Sequence, residues 1–202
     1  MTRIIGIYLF DEVEVLDFAA PFEVFSTATR MSARLRPERP PPFEVSLIGD
    51  RQRTVMARGG FPVLPHSTLG DHRKLDVLIV PGGVVTAELG RPDVIEWIAR
   101  TAPGTELTAS ICTGAFLLAK AGLLDGCRVT THWEDMDDLR RQFPALKVEA
   151  GARWIDEGTV VTSAGISAGI DVSLHLVERL AGEELALRTA RQMDYDWRRT
   201  GA

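Results

Sequence analysis

Residues 108–124, T-A-S-I-C-T-G-A-F-L-L-A-K-A-G-L-L, constrain the fold more than any other part of the chain. The run Leu107–Ile111 that leads into them has the compact apolar character of a buried strand, and Cys112 follows it directly. Thr113-Gly114 then opens a segment with Ala115, Leu118, Ala119 and Gly122 at helical spacing. A cysteine between a strand and a helix occupies a sharp turn, which is expected to push its sulfur out of the sheet toward solvent. It would also lie at the positive end of a helix dipole, which favours thiolate over thiol. Ser110, Gly114 and Ala115 are small enough for the crowding of such an elbow, by analogy with serine elbows. The competing reading is a free cysteine buried in a packed core, a common place for this residue.

The rest of the chain repeats the strand-then-helix pattern. Residues 4–10, 43–48, Val77–Val80, residues 128–131 and Lys147–Val148 read as strands. A helix is expected to start near Asp17 or Pro21, with Phe18, Phe22, Val24 and Phe25 on its buried side. Further helices are expected over residues 92–100, 134–143, 169–181 and 183–193. P-E-R-P-P-P at residues 37–42 cannot continue a helix and reads as a surface loop. Gly59-Gly60, Pro62 and Pro65 mark turns around a short strand or hairpin, and Asp156-Glu157-Gly158 marks a second hairpin. This alternation predicts one α/β domain over residues 1–202, with a mainly parallel sheet covered on both faces.

Bulk properties exclude several classes. The net charge, 23 − 28 = −5, argues against a nucleic-acid surface. Two cysteines with no short spacing make no disulfide framework. The first apolar run ends at the acidic Asp11 without a cleavage site, and no run reaches the length of a membrane span. A cytoplasmic location with free thiols, and no membrane partner, is the expectation. G-x-G-x-x-G after the first strand, a phosphate-binding G-x-x-x-x-G-K-[ST] loop and metal-ligand spacings are all missing, so neither cofactor nor metal is expected.

Ligands of an open parallel sheet bind beyond the carboxyl ends of its strands. The junctions placed there are residues 11–17, Pro81-Gly82-Gly83, Cys112-Thr113 and His132-Trp133. Cys112 is the candidate nucleophile, and the backbone N–H groups of Gly82, Gly83 and Thr113 could approach a developing anion. Asp17 is the one acidic residue within V-L-D-F-A-A-P-F, where an enclosed carboxyl has a raised pKa and can carry a proton. The plainer reading makes Asp17 a helix cap. His132 could orient the thiol or act as a base, or simply pack at a strand end. His66, His72 and His175 have ordinary loop or helix settings, and Cys127 reads as a partly buried, inert thiol.

The elbow, preceded by V-P-G-G and followed by T-T-H-W and T-S-A-G-I-S-A-G-I-D (residues 162–171), resembles the ThiJ/PfpI superfamily, which is class I glutamine amidotransferase-like. The likeness runs from Ile4 to about Arg191. Within the superfamily it is to isocyanide hydratases and to the amidase-like domains of AraC-type regulators, which share the C-T-G elbow, the T-H-W segment and an L-D-x-x-x-P entry to the first helix. The resemblance implies a flavodoxin-like three-layer sandwich, a homodimer and a small-molecule substrate. It makes Asp17 the acidic partner of Cys112, above its reading as a cap. Thr113 stands where the peptidase-like branch has histidine, which speaks against a peptidase. The regulators' DNA-binding domain would need about a hundred residues beyond the likeness, and with Ala202 eleven residues after Arg191 a DNA-binding regulator is not expected.

On this basis the expected activity is a cysteine-dependent hydration of a small isocyanide to an N-formamide. Cys112 would attack, Asp17 would carry the proton, and Thr113 with Gly82 and Gly83 would position water. His132 and Ile166 would line the substrate site. The other expectations are a non-catalytic domain that senses a ligand or an oxidant, and a glyoxalase-like hydratase of small dicarbonyls.

Overall fold

The computed structural model describes residues 1–201. Apolar runs form the strands at the centre: β1 (Arg3–Tyr8), β2 (Phe43–Gly49), β6 (Val77–Val80), β7 (Leu107–Ile111) and β11 (Val160–Ser163). Between them the chain forms β3 (Val55–Ala57), β4 (Phe61–Val63), β5 (Ser67–Thr68), β8 (Arg128–Val129), β9 (Lys147–Val148) and β10 (Trp154–Asp156). The helices are α1 (Val15–Leu35), α2 (Thr86–Leu89), α3 (Pro92–Thr101), α4 (Gly114–Lys120), α5 (Met136–Gln142), α6 (Ala168–Ala181) and α7 (Glu183–Gln192).

Seven strands form the main sheet in the order β10-β11-β7-β6-β1-β2-β5. All its pairings are parallel except that of β10 with β11. Strands β6 and β7 are buried along their whole length, because helices cover both faces. Helices α1, α6 and α7 pack together on one face, and α2, α3 and α4 on the other. This is the expected flavodoxin-like α/β sandwich.

Strand order reverses between β1 and β6, since β1 hands over to β2 on one side and the chain returns to β6 on the other. A crevice opens at such a switch point, beyond the carboxyl ends of the strands. The two loops there are stitched together: Val13 bridges Gly83, Glu14 N–H donates to Gly82 O at 2.9 Å, and Val84 N–H donates to Glu12 O at 3.1 Å.

Three local expectations are corrected. Helix α1 starts at Val15, ahead of both predicted starts, so Asp17 lies inside its first turn and Pro21 in its interior. Only Arg128–Val129 of the strand expected at residues 128–131 is extended, and it pairs with β9 in a separate two-stranded sheet. Residues Trp133–Asp135 form a 3-10 turn, and α5 begins after it. The hairpin expected near Gly59-Gly60 forms from β3 and β4, and docks on the loop after β1 through Glu12 N–H to Met56 O and Arg58 N–H to Val13 O.

Candidate active site

Cys112 follows β7 with φ +55°, a left-handed conformation that L residues rarely adopt. Its carbonyl accepts from the Thr131 hydroxyl at 2.9 Å, and its N–H points to Ser163 O at 3.2 Å, so both backbone groups of the elbow are fixed. The helix after it packs so closely on β6 that a Cβ at Gly114 would run into the Val80 carbonyl. A Cβ at Gly82 would lie 2.6 Å from the Thr113 nitrogen and 2.9 Å from Asp17 Oδ2. Both positions therefore require glycine for approach, and the V-P-G-G and C-T-G motifs are two halves of one contact.

The sulfur does not project into solvent as expected: Cys112 is 6% exposed. The backbone N–H groups of Thr113 and Ile166 face it, as does the Asp17 carboxyl. Burial first, and the Asp17 charge second, push the thiol up to about 12, against the weaker pull of the two N–H groups. The short helix α4 does not offset this, so the resting form is thiol and the expected thiolate is corrected.

Asp17 is fully buried, and its carboxyl is pushed up to about 7 by that burial, against the lowering effect of the Gly82 N–H. Oδ2 accepts that N–H at 3.1 Å, while Oδ1 has no hydrogen-bond partner. Asp17 caps nothing; its own N–H donates to Glu14 O at 3.1 Å within the helix start.

The backbone donors expected at Gly82 and Gly83 are already engaged. Gly82 N–H goes to Asp17, and Gly83 N–H donates to Thr113 Oγ1 at 2.9 Å. The Thr113 hydroxyl in turn donates to Gly83 O at 2.9 Å. Thr113 thus latches the glycine loop to the elbow, with its hydroxyl proton committed to the Gly83 carbonyl. The donors that remain are the Thr113 and Ile166 N–H groups.

Ile166 itself has φ +46°, costly for a β-branched residue, and its backbone N–H faces the sulfur. His132 lines the same pocket but makes no hydrogen bond to Cys112; its Nδ1 accepts Glu134 N–H at 3.4 Å and lies 3.3 Å from Asp135 Oδ2. The pocket over Cys112 has a volume of about 230 Å³, small for a ligand site. Its walls include Glu14, Arg58, Glu134 and Asp135, which sequence reasoning did not single out. Glu14 lies in a junction that was marked and Glu134 beside His132, whereas Arg58 arrives on a hairpin whose docking nothing in the sequence announces. Among the described residues, no group of three or more His, Cys, Asp or Glu is placed to hold a metal ion.

A parallel sheet ending in a left-handed cysteine elbow, with a buried carboxyl from the first helix beside the sulfur, defines a class of cysteine-bearing α/β proteins. The chain belongs to the DJ-1/PfpI family, whose sequence pattern matches residues 3–179. It is 32% identical over 192 residues to an isonitrile hydratase from Pseudomonas putida, covering 95% of this chain and 78% of that protein. It is 31% identical over 178 residues to the HTH-type transcriptional regulator CdhR from Pseudomonas aeruginosa. That match covers 88% of this chain and 51% of the regulator. Among solved structures, a ThiJ/PfpI family protein from Pseudomonas syringae superposes with a TM-score of 0.85 at 23% identity, over 100% of this chain and 82% of that one. The resemblance read from the motifs and the expected fold are thereby shown.

Proposed function

We propose that the protein is a cysteine-dependent hydratase of the isocyanide-hydratase type, acting on a small isocyanide. The observation that carries this reading is the pairing of a buried thiol with a fully buried carboxyl, whose pKa burial pushes up to about 7. The similarity to an isonitrile hydratase supports it.

The proton begins on sulfur, and Asp17 as carboxylate is the acceptor facing it. As Cys112 Sγ bonds to the terminal carbon of R–N≡C, Asp17 takes the thiol proton and delivers it to the same carbon, giving the thioimidate R–N=CH–S. Asp17, again a carboxylate, removes a proton from water as the water oxygen bonds to that carbon and passes it to nitrogen. The hydroxyl of the adduct then loses its proton as the C–S bond breaks, and the proton returns to sulfur through Asp17. The sum is R–N≡C plus water to R–NH–CHO. The Thr113 and Ile166 N–H groups stabilise negative charge on sulfur as it forms and leaves. A residue near pKa 7 suits this alternation, because both of its forms are accessible at neutral pH.

The second reading is a domain that senses a ligand or an oxidant without turnover. The similarity to a transcriptional regulator favours it. Formamide production from an aryl isocyanide, wild type against Cys112→Ala, separates the two. The hydratase reading expects product that vanishes with the sulfur; full activity in Cys112→Ala refutes the mechanism. Ligand-induced thermal stabilisation without product would favour sensing, and methylglyoxal consumption without formamide production would indicate a dicarbonyl hydratase.

A further inference from the structure

We propose that the Cys112 pocket selects its substrate by charge, admitting small neutral or cationic molecules and excluding anions, with Glu134 and Asp135 as the specificity-determining residues. This rests on Cys112 being the reacting group and not on the isocyanide assignment.

The walls of the pocket carry three carboxylates, Glu14, Glu134 and Asp135, against one guanidinium, Arg58. Glu14 offsets the guanidinium, with Arg58 Nη1 3.3 Å from Glu14 Oε2. Glu134 and Asp135 have His132 Nδ1 between them, at 3.7 and 3.3 Å. An entering anion therefore meets two carboxylates that no Lys or Arg pairs, while Glu14 offsets the one guanidinium on the wall. Nor does the floor offer an anion site. The Gly82 and Gly83 N–H groups are engaged, the Thr113 and Ile166 N–H groups face the sulfur, and the buried Asp17 Oδ1 is an acceptor without a partner. A cleft whose unpaired charges are of one sign concentrates the field, so ligands of that sign are kept out and those of the opposite sign are gathered.

Disulfide-forming probes of similar size test this without reference to turnover. Cys127→Ser leaves Cys112 as the single thiol. Methanethiosulfonates carrying a trimethylammonioethyl, a methyl or a sulfonatoethyl group are reacted with it at low salt. In each case Cys112 sulfur bonds to the sulfenyl sulfur, methanesulfinate leaves with its electron pair, and the thiol proton is lost. Each rate is divided by that of the same probe with free cysteine. The normalised cationic rate should exceed the anionic one by roughly tenfold or more, with the ratio shrinking in about 1 M salt. Glu134→Gln, at an exposed side chain that the fold does not depend on, should reduce the ratio severalfold, and Glu134→Gln with Asp135→Asn should bring it near one. An anionic probe that reacts as fast as the cationic one, a ratio unmoved by these substitutions, or a Cys112 that none of the three probes reaches would overturn the proposal. A protein that fails to hydrate isocyanides but shows the charge preference loses the hydratase reading and keeps this one.

Discussion

Asp17 and Cys112 face each other inside the fold, and the order of their pKa values makes Asp17 the first of the two to lose its proton as pH rises. Burial raises Asp17 from 3.8 to about 7, so between these values the folded chain binds a proton that the unfolded chain has released. Its contribution to stability therefore falls as pH rises through that window and is fully unfavourable above pH 7. Asp17→Asn should gain on the order of a few kcal/mol over wild type at pH 8, and little at pH 4, in urea unfolding. The same variant should lose about 10²-fold or more in turnover. The Cys112 thiol, pushed to about 12, should show an iodoacetamide rate in Cys127→Ser that still rises above pH 9, where an ordinary cysteine has levelled off. Local signals mark both residues, but an acid at that point of an apolar stretch reads equally as a helix cap, and it is the likeness to the ThiJ/PfpI superfamily that implies the pairing of Asp17 with Cys112. The burial of the sulfur was not legible, because segments such as that of Ile166, whose N–H faces it, lie far along the chain (166 − 112 = 54).

Each element around the site is held at an angle that small residues permit. Gly114→Ala would drive a Cβ into the Val80 carbonyl, backbone that cannot step aside, and should destabilise the protein by roughly 2–4 kcal/mol in chemical denaturation. Thr113→Val removes the hydroxyl that both accepts from and donates to Gly83, and leaves that N–H and carbonyl inside the loop contact without a partner. A loss of about 1–3 kcal/mol is expected, with turnover reduced because the loop that carries the Gly82 N–H to Asp17 is loosened. The strands were legible wherever both faces are buried, as in β6 and β7, since an uninterrupted apolar run needs only its own neighbours to be recognised. The start of α1 was misplaced because Asp17 carries the local signature of a cap, while its side chain is claimed by Gly82, 65 residues away. Strand β8 came out short because it pairs with β9 outside the main sheet.

At the scale of the molecule, the end of the chain is tied to the helix that follows the Ile166 turn. Asp171 of α6 is fully buried and accepts from Arg153 Nε at 2.5 Å and from the Arg198 N–H at 3.0 Å, while Trp197 Nε1 donates to the Asp171 carbonyl at 3.2 Å. Asp171→Ala strands the guanidinium and frees the terminal segment. It should cost about 3 kcal/mol in urea unfolding and expose Arg198 and Arg199 to limited trypsin digestion that spares the wild type. Alternating apolar and turn-forming segments determined by themselves that the chain makes a parallel α/β sandwich, since strands and helices with those periodicities must bury their faces against each other. The elbow and its carboxyl were likewise written into short motifs. Only the tertiary structure decided the protonation of the pair, the engagement of the glycine N–H groups and the acidic rim of the pocket. Each of these depends on distances between segments remote in sequence, and on burial that no segment possesses alone.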